Sequence, residues 1–332
     1  MTIGSASTRY GSTSVLLLFL AFISSRASAH AHLTFLLSVD TSARHSSVGD
    51  STLANSRSEP KKTHFGINKN YLSRLGHRKG EIYFTWGYNR SAYTHSDINF
   101  SGAGYNFTLY HVVAKDAPTP FGLNPYLNPS TITIPQFNFR LGYYFRDKYS
   151  LSVGWDHMKY VMVANQVVNI TGAIAAEVSK PSIPTGGYQG TYDQTPLVVA
   201  PDFLTFEHTD GLNYASVELD RIENVWTAGN GKTGLSFTSG VGLGGVVPRS
   251  DVRLFTVGKN NYWNLAGFGA SLKFGLKFDL TRNLFMEGNL KGGYIDLVHI
   301  RTTGRTGDSA RQHFQFIEGF IVVGYKFSTA KK

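Results

Sequence analysis

From Ala266 to Leu280 every second residue is apolar, with Phe268, Ala270, Leu272, Phe274, Leu276 and Phe278 in between, while Gly267, Gly269, Ser271, Lys273, Gly275, Lys277 and Asp279 fill the alternate places. A helix would scatter these side chains around its circumference. A strand sends them to opposite faces, so one face is wholly apolar and the other carries two lysines. Fifteen residues at about 3.3 Å each outrun the usual strand of a globular protein and cross a hydrocarbon core of about 30 Å at a tilt. The pattern predicts a transmembrane β-strand.

Seven further segments repeat it. Ile82, Phe84, Trp86 and Tyr88 share one face of the first. Phe137, Phe139, Leu141, Tyr143 and Phe145 mark the second, and Leu151, Val153 and Trp155 the third. Ala215, Val217 and Leu219 give the fourth, then Leu235, Phe237, Val241 and Leu243 the fifth. After the opening segment come Leu284, Met286, Leu290 and Tyr294, then Ile317, Ile321, Val323, Tyr325 and Phe327. The connections test this count of eight. Those at 146–149 and 280–283 are short and 221–234 is intermediate, and they alternate with longer ones at 91–134, 163–205, 247–263 and 301–312. Short turns on one side and long loops on the other is the order of an even-stranded membrane barrel. Tyr105 to Lys115 also alternates, and Asp97 to Lys115 is placed as a hairpin in the first long loop, above the membrane. A ten-stranded count would take one more strand from 163–205.

At the N-terminus Arg9 precedes the apolar run Val15–Ile23, and Ala27-Ser28-Ala29 has the small-x-small spacing of a signal-peptidase site. Residues 1–29 read as a signal peptide, with cleavage near His30. No later run of roughly 18 apolar residues exists, which excludes a helical membrane protein. Residues 30–79 are Ser-rich and basic and read as a poorly ordered periplasmic lead-in. The barrel then covers 80–327, and 328–332 form a short basic tail.

Composition agrees: 14% aromatic residues, 35 glycines and no cysteine. The missing thiols remove disulfides, thiolate nucleophiles and Cys-ligated metals. The formal charge of +10 falls to +8 once Arg9 and Arg26 leave with the signal. No DNA- or RNA-binding motif accompanies it, so no nucleic-acid partner is read.

With its signal peptide, alternating aromatic strands and final strand Ile321-Val-Val-Gly-Tyr-Lys-Phe327, the chain resembles bacterial outer-membrane β-barrel proteins of the porin-like superfamily. The resemblance covers about residues 80–327 and implies an all-β, antiparallel up-and-down transmembrane barrel with long outer loops. It implies residence in the bacterial outer membrane with both ends of the mature chain periplasmic, among outer-membrane lipid and lipopolysaccharide, after insertion by the barrel-assembly machinery. The family usually ends on the closing aromatic, whereas Ser328-Thr-Ala-Lys-Lys332 follows here. Such folds serve transport, adhesion and enzymatic roles alike.

An eight-stranded barrel is about wide enough to be filled by its own side chains. The inward positions include six acids, Glu81, Asp156, Glu218, Asp220, Glu287 and Glu318, and four bases, Arg140, Lys273, Lys277 and Lys291. Unpaired buried charge costs several kcal/mol, so these should pair into an internal plug. The alternative is a narrow polar channel, with Gly240, Gly242 and Gly244 leaving free volume on one wall. Gly240-Val-Gly-Leu-Gly-Gly245 imitates a dinucleotide fingerprint but lies within an alternating strand, and Gly231-Lys232-Thr233 lacks the first glycine of a phosphate loop. No cofactor, metal site or catalytic residue is assigned. The one enzymatic possibility is a lipid-modifying hydrolase built on an outer-rim cluster of His208 and Asp210. Outer-membrane lipid hydrolases use His-x-Ser where this chain has His208-Thr209-Asp210, and Ser216 is roughly 26 Å away along a strand. The leading expectation is a non-enzymatic barrel that is structural in the envelope or binds a surface ligand through loops 91–134 and 163–205. The alternative function is a narrow channel for small polar solutes.

Overall fold

The computed structural model describes residues 75–258 and 262–328. The expected signal peptide at 1–29, most of the expected lead-in and residues 329–332 lie outside them. In chain order the strands are β1 Glu81–Tyr93, β2 Ser96–Gly102, β3 Tyr105–Val112, β4 Ala114–Lys115, β5 Phe137–Arg146, β6 Tyr149–Met162, β7 Val167–Ile174, β8 Glu177–Val178, β9 Ile183–Pro184, β10 Gly190–Val198, β11 Leu204–Thr227, β12 Gly234–Val246, β13 Arg249–Leu254, β14 Tyr262–Trp263, β15 Gly267–Asp279, β16 Leu284–Arg301 and β17 Ser309–Ser328. A short helix, α1, spans Leu123–Leu127 between β4 and β5.

Eight of these strands close a ring in the order β1-β5-β6-β11-β12-β15-β16-β17, with β17 returning to β1. Closure is complete and antiparallel, from Glu81 opposite Ser328 to Tyr93 opposite Phe316. Full closure leaves the ring without an edge. The ring is therefore an eight-stranded up-and-down barrel, and residues 163–205 contribute no ninth or tenth wall strand. Of their strands, β7 pairs with β3 of the hairpin β2–β3, which extends the sheet from the upper part of β17, and β10 pairs with β7.

The exterior is apolar over a belt. Leu272, Phe274, Leu276 and Phe278 of β15, Leu290 of β16 and Val323, Tyr325 and Phe327 of β17 are all exposed on it. Every other residue of these strands points inward, and there Lys273, Lys277, Lys291, Glu318 and Lys326 are buried. Apolar outside and charged inside is the inverse of a water-soluble barrel and suits a wall that faces lipid.

Four of the barrel strands continue beyond the belt at the loop end, and there the polarity inverts. On β17 the inward side changes from Glu318 to Phe316 and Phe314, while the outward side changes from Ile317 to Gln315 and His313. On β16 the inward Lys291 gives way to Ile295 and Leu297. With β6 and β11 prolonged in the same way, and β2, β3, β7, β10 and β13 added, the walls enclose a second core. It includes Phe100, Phe107, Ile170, Phe203, Phe206 and Phe314. The molecule has two storeys: a charged lumen within the apolar belt, and an apolar cap above it.

Candidate functional site

The lumen is built from inward positions of neighbouring strands whose register brings opposite charges to the same height. Lys273 of β15 stands opposite Gly240, and Lys291 of β16 opposite both Lys273 and Glu318. Lys291 is fully buried and reaches Asp156, Glu218 at 2.8 Å and Glu318 at 3.9 Å. Arg140 bridges Glu218 at 2.7 Å and Asp156 at 3.5 Å, and donates to Ser216 at 3.0 Å. Lys273 meets Glu218 and Asp220, each at 2.9 Å. Asn138 donates to Asp156 at 2.8 Å and Glu318 at 2.9 Å, tying together two carboxylates that would otherwise repel. Seven of the ten charged positions named from the sequence thus share one network. Each carboxylate faces a cation or an amide donor, which is what makes so much buried charge tolerable.

The glycines of β12 serve this network rather than leaving space. A Cβ on Gly240 would stand 2.0 Å from Asp220 Oδ1, and one on Gly242 would stand 2.9 Å from Glu218 Cγ. The free volume expected along this wall is filled by neighbouring carboxylate side chains at Gly240 and Gly242 and by the Ala215–Ser216 backbone at Gly244.

The other three charged positions sit nearer the turn end. Lys277 is enclosed by aromatic rings: its Nζ lies 3.8 Å from the Phe285 centroid and donates to the Tyr144 hydroxyl at 2.7 Å. Glu287 accepts from Thr238 at 3.0 Å. Glu81 begins β1 opposite Ser328. Between these groups and the main network lies a void of about 30 Å³, room for one or two water molecules.

At the turn end the last residues of the expected lead-in enter the barrel mouth. Arg78 is buried and donates to Asn224 at 2.5 Å and Ser236 at 3.0 Å. It also stands 3.9 Å from Asp279, which pairs with Lys326 at 2.7 Å. Leu75, likewise buried, packs where a Cβ on Gly234 would be. The lead-in is therefore structured over its last residues, because Asp279 offers a buried carboxylate and the barrel mouth an apolar seat. No periodicity marks Arg78. The only available sign was its place just before the first strand, among residues that look uniformly basic and polar.

His208 and Asp210 do not form an outer-rim cluster. Asp210 is exposed beside Arg249 at 3.7 Å. His208 points into the cap core, fully buried against Phe206 and Tyr160, and its Nδ1 meets the hydroxyl of Ser250 on β13 at 2.8 Å. Inward on β11 means into the lumen at Ser216, which belongs to the charged network, but into the cap core at His208. Asp210 has the same parity as His208 but lies where the pairing of β11 with β6 shifts register, between His208 and Leu212, so the two side chains part, and the surroundings of His208 come from elements remote in sequence. Burial pushes the His208 imidazole down to about 3, so it is neutral within an apolar core.

No family model matches the chain, and no curated protein matches it. Among solved structures, the attachment invasion locus protein Ail of Yersinia pestis, determined with the heparin analogue sucrose octasulfate, is 9% identical, spans 75% of this chain and 99% of its own, and superposes with a TM-score of 0.25. The outer membrane protein AlkL in lipid bilayers is 10% identical over 83% of this chain and 99% of its own, with a TM-score of 0.33. OprG from Pseudomonas aeruginosa is also 10% identical, over 77% and 99%, with a TM-score of 0.33. The eight-stranded ring rests on its own strand pairing, and in that architecture the chain is similar to bacterial outer-membrane β-barrel proteins.

Proposed function

We propose that this protein is a non-enzymatic barrel of the bacterial outer membrane whose lumen is closed and whose cap is its working surface. The observation that carries the reading is the filled interior. An ion entering from either end meets a stopper at Arg78 and Asp279, the Lys291 network, and the apolar cap core in series. Desolvation by any one of these layers opposes passage. A wall this rigid suits a scaffold that presents loops, since recognition generally sits on loops held by a stable frame. In this reading the long loops face outward and the turns inward, and a ligand or partner meets the cap formed by stretches 91–134 and 163–205.

Planar-bilayer recording from the refolded chain tests it, with a heat-modifiable gel shift as proof of closure. The expected outcome is silence above the bare bilayer. Discrete, reproducible conductance steps from closed protein would overturn the reading in favour of a channel for small polar solutes.

A further inference from the structure

The stretch between β4 and β5 carries an unusual surface. Phe121, Leu123 and Leu127 are 83%, 71% and 70% exposed, more than the belt residues Leu272 and Phe274 at 56% and 54%. Ile134 adds a fourth exposed apolar side chain. Leu123 and Leu127 are four residues apart on α1 and so share a face. Tyr126, on the same turn, is buried.

Tyr126 fixes this stretch against the outside of the barrel wall. Its ring packs edge-on against Tyr88 of β1 at 4.8 Å, the Tyr88 hydroxyl donates to its carbonyl at 2.5 Å, and Arg90 donates to its hydroxyl at 3.1 Å. The Tyr126 hydroxyl in turn donates to Thr119 O at 2.9 Å, and Lys159 of β6 donates to Thr119 Oγ1 at 3.3 Å. Tyr88 follows Phe84 and Trp86 on the outward face of β1, and Trp86 stacks on Phe137, which stacks on His157. The exposed apolar patch is thus continuous with the upper margin of the belt. The cations beside it, Arg90 and Lys159, lie one step further from the belt on the same outward faces.

Aromatic rings and apolar side chains below, tyrosine hydroxyls and long cations above, is the order of groups found where acyl chains give way to headgroups. We propose that residues 117–134 form an interfacial anchor, a segment of the first long loop that lies on the barrel wall and inserts Phe121, Leu123 and Leu127 into the lipid boundary. Its occupant is the bilayer surface rather than a protein, because the patch extends a face already adapted to lipid. The anchor would fix the barrel's height and tilt and hold one side of the cap close to the membrane. The proposal rests on the reading of the belt as lipid-facing.

The chain has no cysteine, so single replacements carry a unique label. Leu123→Cys, Leu127→Cys, the belt variant Leu272→Cys and the cap variant Thr191→Cys would each be labelled with an environment-sensitive fluorophore and reconstituted in full-length form into phosphatidylcholine–phosphatidylglycerol vesicles. Quenching by aqueous iodide and by lipids bearing a nitroxide near the acyl-chain head would then be compared. Expected are quenching by the lipid nitroxide at 123 and 127, and iodide quenching at least about fivefold weaker there than at 191. If 272 responds to lipid while 123 and 127 behave like 191, the anchor is wrong and the belt stands. If 272 fails to respond to lipid, the belt reading itself falls. Labels at 123 and 127 shielded from both quenchers would show burial between protein molecules, which also overturns the anchor.

Discussion

Lys291 shows how much of the lumen depends on a single side chain. It is fully buried and holds Asp156, Glu218 and Glu318 together, so Lys291→Met leaves uncompensated carboxylates in a site water barely reaches. Loss of about 3–5 kcal/mol is expected from breaking a buried network in this way, measured as a lower urea midpoint in micelles. Adding Glu218→Gln to Lys291→Met should recover part of it, and a midpoint unchanged by Lys291→Met would contradict the network. His208 makes a pH prediction for the cap. Its folded value of about 3 lies below the 6.5 of an unfolded imidazole, so between these values the unfolded chain binds a proton that the folded chain refuses. The contribution is complete above pH 6.5 and is lost as pH falls. At pH 5 the loss amounts to about 2 kcal/mol. Protease cleavage of the cap should therefore accelerate between pH 7.5 and 5, and His208→Gln, which keeps a polar partner for Ser250, should flatten that dependence. An equal acceleration in the variant would assign the effect to another group.

The elements differ in what they need. Each ring strand finds both neighbours within the ring, whereas β7 and β10 are joined to it only through β2 and β3. Replacing residues 164–202 by a short Gly-Ser linker should leave the ring closed and heat-modifiable. The same change removes Val168, Ile170 and Ile174 from the cap core, each worth about 1.5–3 kcal/mol of burial, and should open β2, β3 and β13 to proteolysis. Protease resistance like that of the intact chain would mean the cap does not depend on these strands. For the same reason, loss of a surface ligand after such a deletion would not locate its binding site, since the whole cap would be disturbed. Point changes on the exposed face of β10 are the cleaner probe. The belt segments were legible because each buries one face in lipid, and that leaves a period of two in the sequence. The continuation of β16 and β17 into the cap was written there too, as Phe314 and Phe316 alternating with His313 and Gln315. There the apolar residues move to the opposite parity, so the single stripe of the belt ends where the surroundings change from lipid outside to an apolar core inside.

At the scale of the molecule, on the proposed reading of a closed lumen, the cap core, the paired charges and the Arg78–Asp279 contact lie in series, so no single feature has to seal the barrel alone. Alternation, loop lengths and inward charge were properties of the sequence by itself, because a strand's two faces and its membrane span are local matters of geometry and transfer energy. They pointed to eight strands and to the positions that face inward, and ring closure between β1 and β17 settled eight against ten. Which charges meet was decided only by the tertiary structure: register sets Lys291 among three carboxylates and leaves Lys277 to a box of aromatic rings. Tertiary structure also decided that Arg78 enters the barrel and that His208 lies in a core rather than at a rim. The polar partners of Arg78 and His208 lie between 42 and 201 residues away in sequence. No local pattern records such partners, because the energy that fixes them comes from closing the ring and folding the loops over it.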